Sequence, residues 1–490
     1  MITRYLRSLY VLLFVGISTL TFQSCTTYYH AHEQFNQAFQ TGQFKQCEDW
    51  LKKHSPKKNA KDKFLYYTNL GLVQFLQNET EASNQSFEKA FLMVEDFESK
   101  PGEYAASFLV NPNQITYTGE RYERLFVNYF KALNQLKVND PESTLIEARR
   151  LIRKLNVLEE GSKNKSYHTD GFIFWVIGML FEAGREPENA FIYYKKAQEA
   201  YHQSFAGLCK LSEPDQLSKD LVRAAYAAGF DSDAQHFENQ LHVANENRSK
   251  GTGTAVILWH KGLGPIKDES RITFNVVKGV GGGVSFSNAE HGFSLPLLWP
   301  VNEPADPNRL DNVQFITMAL PKYIARPTYW NQMSLSAVGK SYEFQPATDL
   351  FEVAKADLND RLAATLATAL ARVAIKEAIR QAATKATETA VENKSPKDDA
   401  RTKQKKQQQA DFVSSLVNQT LMIINAATEK ADTRNWQTLP EKIEVLRLDL
   451  PSGKQTLTLN GTSISGKTFS QTLDLEIVEG QTIFHTVQTF

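Results

Sequence analysis

The sequence predicts an α+β chain in which a helical N-terminal half precedes a β-rich half. Three observations carry this. Apolar and small residues recur at helical spacing from residue 28 to about 250, and the pattern turns to alternation after Gly251. An alanine-rich stretch lacking Gly and Pro, Asp349–Asn393, then interrupts the strands. The 490 residues are 42% apolar and 11% aromatic, enough for more than one core. Lys+Arg and Asp+Glu both number 55, so there is no global basic field and no nucleic-acid partner is expected.

At the N-terminus, Arg4 and Arg7 precede the apolar run Leu9–Ile17, which is short for a mature membrane span and suits a signal h-region. The run closes in Phe22-Gln23-Ser24-Cys25, which resembles the bacterial lipoprotein box, with Phe22 and Gln23 where Leu and Ala or Ser are usual. The resemblance implies a signal peptide over 1–24 and lipidation of Cys25, whose acyl chains would anchor the chain to the membrane. An ordinary signal peptide and a signal anchor are the alternatives. Thr26, where Asp would mean inner-membrane retention, implies the outer membrane and its periplasmic face. The two remaining cysteines, Cys47 and Cys209, could form one disulfide or none.

Within the helical half, residues 171–202 carry Phe174, Gly178, Phe181, Ala190, Tyr194 and Ala197 at the six marked positions of a tetratricopeptide repeat. A helix pair cannot bury its own faces, so small residues let helices approach while large ones fill the gaps. Weaker copies hold Ala31, Phe35, Ala38, Cys47 and Leu51; Tyr67, Gly71, Phe87 and Ala90; Leu125, Tyr129, Ala132, Leu145 and Ala148; and the surroundings of Ala225 and Ala234. Cys47 is thereby read as a buried small residue. The copies are spaced more widely and less evenly than the roughly 34 residues of a regular array, so insertions separate them.

The longest insertion, about 98–120, runs into YTGERYER (Tyr117–Arg124), and the next helix pair closes with EARR (Glu147–Arg150). Together with LWHKGLGP (Leu258–Pro265) and DTRNWQTLP (Asp432–Pro440), these stretches resemble a family of Gram-negative lipoproteins with tetratricopeptide-like N-terminal halves, over most of the mature chain. Genes of that family often lie beside those of lipoproteins that activate penicillin-binding proteins. The resemblance therefore implies a cell-envelope role linked to peptidoglycan synthesis, and no activity. Tyr117, Glu120, Tyr122, Arg124, Glu147, Arg149 and Arg150 are the candidate partner-binding residues, against the alternative of a helix cap and ordinary salt bridges.

In the second half, Thr254–His260, Arg271–Val277, Val313–Leu320 and Met333–Val338 read as one strand set, and Ile443–Leu450, Gln455–Asn460, Phe469–Val478 and Thr482–Gln488 as another. Residues 349 to about 430 read as an inserted helical hairpin, with the polar run Pro396–Gln409 and its KQKKQQQ as a solvated connector.

Motifs of chemistry are weak. GTSISGKT (Gly461–Thr468) matches the phosphate-loop consensus but stands between two alternating stretches, so a hairpin loop is expected. The run Gly279–Gly283 reads as a turn, and SPKK (Ser55–Lys58) and SKNK (Ser162–Lys165) fit SxxK only by spacing, without partner motifs. His30 and His32 lack a third ligand and read as exposed tether residues.

The expectation is a tetratricopeptide-like α-solenoid over 25–250, followed by a β-sandwich-like domain over 251–490 with a helical insertion at about 349–430. It is expected to work by binding an envelope protein or peptide through the helical groove, not as an enzyme, with no catalytic residue, metal or cofactor. The competing class is a cell-wall or glycan-processing enzyme whose site lies in the β half.

Overall fold

The computed structural model describes residues 27–57, 60–99, 115–160, 170–244, 249–278, 284–288, 293–296, 315–362, 365–366 and 430–490. Cys25 and the signal segment, Lys58, most of the long first insertion, the SKNK stretch, the Gly279–Gly283 run and nearly all of the expected helical hairpin lie outside the described residues.

The helical half comprises α1 (Tyr28–Ala31), α2 (Glu33–Gln40), α3 (Phe44–Lys53), α4 (Lys63–Leu76), α5 (Thr80–Ser99), α6 (Arg121–Lys137), α7 (Pro141–Glu160), α8 (Gly171–Ala183), α9 (Pro187–Ala200), α10 (Ala206–Cys209), α11 (Asp215–Ala227) and α12 (Asp231–Leu241). A single π-helical turn, Tyr201–Phe205, joins α9 to α10.

Five helix pairs share one turn. The second residue after α2, α4, α6, α8 and α11 is left-handed in every case: Gly42, Asn78, Asn139, Arg185 and Gly229. The next amide then bonds back to a carbonyl five residues earlier, as in Gln43 N–H to Ala38 O and Glu186 N–H to Phe181 O, both 2.9 Å. This is the capping geometry that satisfies the orphan carbonyls of a helix end, repeated five times along the chain. Between paired helices the small-on-large contacts are tight. A Cβ on Gly71 would lie 2.9 Å from the Phe87 ring, and one on Gly178 would lie 2.4 Å from Tyr194.

The β half contains β1 (Thr252–Lys261), β2 (Ile266–Lys278), β3 (Val284–Asn288), β4 (Phe293–Pro296), β5 (Phe315–Ile324), β6 (Trp330–Ala337), β7 (Lys340–Glu343), β8 (Gln345–Asp349), β9 (Lys442–Pro451), β10 (Gly453–Ser463), β11 (Thr468–Ile477) and β12 (Thr482–Thr489). They form sheet 1 (β12-β1-β9-β8), sheet 2 (β11-β10-β6-β7) and sheet 3 (β4-β3-β2-β5). All pairings are antiparallel except β1 with β12. A helix over 350–362, α13, follows β8 directly and opens the alanine-rich stretch.

All eight expected strands are present. They do not sort into two sets, however, because sheets 1 and 2 each mix strands from before and after the insertion. Sheet 1 is the central layer. Val256 and Leu258 of β1 and Ile443 and Val445 of β9 join the core of the helices, whereas Ala255, Ile257 and Trp259, with Leu446, Leu448 and Leu450, pack on sheet 2. That double burial explains why β1 reads as a nearly unbroken apolar run, since strict alternation needs one wet face. Sheet 2 has that wet face: Leu473, Leu475 and Ile477 point inward, with Thr472, Asp474 and Glu476 exposed between them.

Cys47 and Cys209 are both buried free thiols, and burial pushes each up to about 12. His30 is exposed as expected. His32 is not: its ring lies 4.0 Å from that of Tyr28 and 5.4 Å from that of Trp50, because the first helical turn folds back onto α3.

Candidate functional site

Three of the four stretches quoted for the family resemblance meet in one buried junction between α6, the entry to β9 and the root of β2. The turn before α6 enters through Gly119, which has a positive φ of 85° and where an added Cβ would lie 2.6 Å from the Phe64 ring. Glu120 then caps the helix, and its N–H donates to Glu123 Oε2 at 3.0 Å.

Glu123 is the hub. Its carboxylate also accepts from Tyr117 O–H (2.7 Å), Tyr122 O–H (3.3 Å) and the Trp436 N–H (2.7 Å), which ties YTGERYER to DTRNWQTLP. Burial, together with the neighbouring Glu120, pushes Glu123 up to about 7. Burial opposes charge on Glu120 too, but Arg361 and Lys267 beside it hold that carboxyl well below the usual range. Glu120 pairs with both cations, so it joins α6 to β2 and to α13. Arg121 extends the network to Asp360 (2.7 Å) and Asp357 (3.5 Å).

LWHKGLGP enters through its ends. Asn435 Nδ2 donates to Pro265 O at 2.8 Å and its Oδ1 accepts from Lys267 N–H. Tyr129 O–H and His260 Nε2 lie 2.8 Å apart, and burial pushes His260 down to about 3, so the ring is neutral. The Trp436 indole packs against Phe87 and Phe130, and Arg434 stacks 5.1 Å from the Tyr117 ring centre while donating to Asp432 and Lys61 O.

The candidate partner-binding residues thus fall into two groups. Tyr117, Glu120 and Tyr122 are buried in this junction, and Arg124 is held by Thr118 O (3.1 Å), Gly119 O (3.0 Å) and Glu98 (3.1 Å). EARR lies apart, on α7. Glu147 is buried between Lys131 and Arg150, both at 3.0 Å, Arg150 also pairs with Glu88, and only Arg149 reaches the surface, where it meets Glu186 at 2.9 Å. Arg124 and Arg149 are thus each paired within the chain, with Glu98 and Glu186. Lys267, Arg361, Asp357 and Tyr323, whose O–H lies 3.5 Å from that of Tyr122, reach the junction from three elements far from α6, and no local motif marks them.

The expected helical groove is occupied by the chain itself. The first helix of each central pair is buried nearly all round, as in the unbroken run Gly171–Phe181 of α8, because one side meets its partner helix and the other meets sheet 1. Arg447 of β9 seals this contact, pairing with Glu182 of α8 and, at 3.4 Å, with Asp220 of α11. An open groove of about 1000 Å³ runs along the helix turns. Pro141, Glu142 and Leu145 form one wall, Arg185 and Pro187 the next, Tyr226 another, and the β11–β12 turn (Gly480–Thr482) closes it.

A proton-transferring carboxyl needs contact with a substrate, and both Glu123 oxygens are taken up by internal donors in a fully buried position. No group of side chains suited to a metal ion occurs among the described residues, and none of their helices is long and apolar enough to cross a membrane. The GTSISGKT stretch forms the β10–β11 hairpin, with Thr462 paired to Thr468, so β11 and not a helix N-terminus follows Lys467. No family model and no curated protein matches the chain.

Proposed function

We propose that the chain is a binding or scaffold protein of the cell envelope, anchored through lipidated Cys25 at the periplasmic face of the outer membrane. In this reading the helices are a tetratricopeptide-like α-solenoid and sheets 1 and 2 a β-sandwich docked in its inner face. The observation that carries it is the groove along the helix turns. Its walls come from both halves of the chain, so the docking of sheet 1 builds a binding surface while filling the face such arrays commonly offer. Mixed polar and apolar walls of this size suit a peptide or helix of a partner. Wall synthesis is the process proposed for that partner, on the family resemblance.

Reversing both exposed wall charges, Glu142→Arg with Arg185→Glu, should abolish capture of the partner in envelope cross-linking while leaving the thermal melt within a few degrees of the parent. Undiminished capture by the folded variant would defeat the groove reading.

A further inference from the structure

One apolar protrusion is left unexplained by the groove. At the tip of the β10–β11 hairpin, Ile464 is 68% exposed, and beside it Tyr329 is 38% exposed. Ile464 N–H donates to Tyr329 O at 3.0 Å, so the two residues are neighbours at one end of the paired strands β10 and β6 of sheet 2. The turn that carries Ile464 is built stiffly. Ser463 N–H donates to Lys467 O at 2.8 Å, Lys467 N–H returns to Ser463 Oγ at 2.9 Å, and Gly466 takes the positive φ of 79° that closes the loop. Behind the tip, Trp330 lies edge-on to Phe469 at 4.7 Å and to Tyr329 at 5.0 Å. Lys467 is exposed on the same turn.

The position of this tip is set by the rest of the fold. Trp330 pairs with Ser463, and Lys261 Nζ donates to Asn331 O at 2.8 Å, which places the tip at the end of the sheets where β1 finishes and β9 begins. The first described residues lie at that same end. Tyr28 N–H donates to Thr433 Oγ1, Asn36 Nδ2 donates to Gln437 Oε1, and Arg326, three residues before Tyr329, donates to Gln437 O and Gly264 O. Thr27 is two residues from Cys25, a reach of roughly 7 Å. An acyl anchor on Cys25 would therefore bring this end of the molecule to the bilayer.

We propose that the β10–β11 tip is a second membrane contact, in which Ile464 enters the headgroup and acyl boundary of a phospholipid leaflet and Tyr329 and Lys467 sit among the headgroups. An exposed aliphatic residue flanked by an aromatic ring and a lysine is the chemistry that partitions to that interface. Because the anchor holds the tip near the leaflet, a contact too weak to bind alone becomes effective. Two contacts, unlike one, would fix the orientation of the groove relative to the membrane. The proposal rests on the lipidation reading for its geometry.

The test uses the full chain, purified from membranes and reconstituted in phosphatidylethanolamine and phosphatidylglycerol vesicles. Cysteine is introduced as Ile464→Cys or, on the wet face of sheet 2, as Thr472→Cys, and labelled with an environment-sensitive dye. Cys47 and Cys209 are buried and do not compete. The expected result is a blue-shifted, brighter emission quenched by spin-labelled lipid at position 464 and an aqueous emission at 472. An aqueous emission at both positions would overturn the proposal. The mass of the N-terminal peptide from the same sample decides lipidation separately. A shift at 464 without acyl mass would remove the anchor and leave the tip contact standing.

Discussion

The Glu123 carboxylate accepts the backbone N–H of Trp436 at 2.7 Å, across 313 residues of sequence, inside the junction of helices and sheets. Its proton affinity is raised to about 7, above the ordinary value of 4.5, by burial and by Glu120. The folded state therefore binds a proton that the unfolded state has released between about pH 4.5 and 7, and over that window stability falls as pH rises. Glu120 is shifted the other way, so its contribution is present above the ordinary carboxylate range and is lost only at more acid pH.

The expected loss approaches about 1.4 kcal/mol for each pH unit within the window. Glu123→Gln keeps an acceptor but gives up the charge, so the variant, though less stable at acid pH through its lost hydrogen bonds, should show a flatter profile. Urea denaturation of both proteins at about pH 5 and about pH 8 measures the two slopes. Parallel profiles would refute the raised affinity.

Arg447 is the second long-range tie, nearly buried and facing Glu182 and Asp220. Its removal leaves Asp220 fully buried with less compensating charge, which should cost about 3–5 kcal/mol in Arg447→Ala. Replacing both partners, Arg447→Leu with Glu182→Leu, removes charge in a balanced way at this pair and should recover part of that loss. Chemical denaturation of Arg447→Leu, Glu182→Leu and the double variant gives the coupling.

Helix pairs and strands were legible because each is a local pattern. Gly178 and Tyr194 occupy their repeat positions and do touch, and the run from Thr254 to His260 is a strand for the reason given by its apolar, β-branched residues. The assembly was not legible. Nothing local to Thr482–Thr489 says that it lies parallel to β1, and nothing in β9 says that Arg447 faces α8 while Leu446 faces sheet 2. The junction was half visible: YTGERYER and DTRNWQTLP stood out as stretches, but their meeting depends on Lys267 and Arg361, which carry no pattern of their own.

Glycine positions separate packing from propensity. Gly178→Ala gains helix propensity yet drives a Cβ to 2.4 Å from the Tyr194 ring, so a net loss of about 1–3 kcal/mol is expected. Gly207→Ala sits in α10 with nothing within 4 Å of the new Cβ and should gain about 0.5–1 kcal/mol. Thermal melts of the two variants should move in opposite directions.

The repeated turn offers a sharper case. Of its five left-handed positions, two hold glycine and two hold asparagine, residues that accept this backbone readily, whereas the fourth holds Arg185 at a φ of 61°. Arginine there carries a steric cost that glycine lacks, while glycine releases more entropy on unfolding. Since the position is fixed as left-handed by the Glu186 to Phe181 bond of the cap, the steric gain should win, and Arg185→Gly should raise stability by about 0.5–1 kcal/mol. The same substitution at Glu186, one residue on and outside the left-handed region, should lower it, because the Arg149 ion pair is lost with no strain relieved. Arg185 also lines the groove. A variant that is more stable and yet captures less partner would locate the arginine's value in binding, and one that is less stable would show that the turn does not need the left-handed backbone.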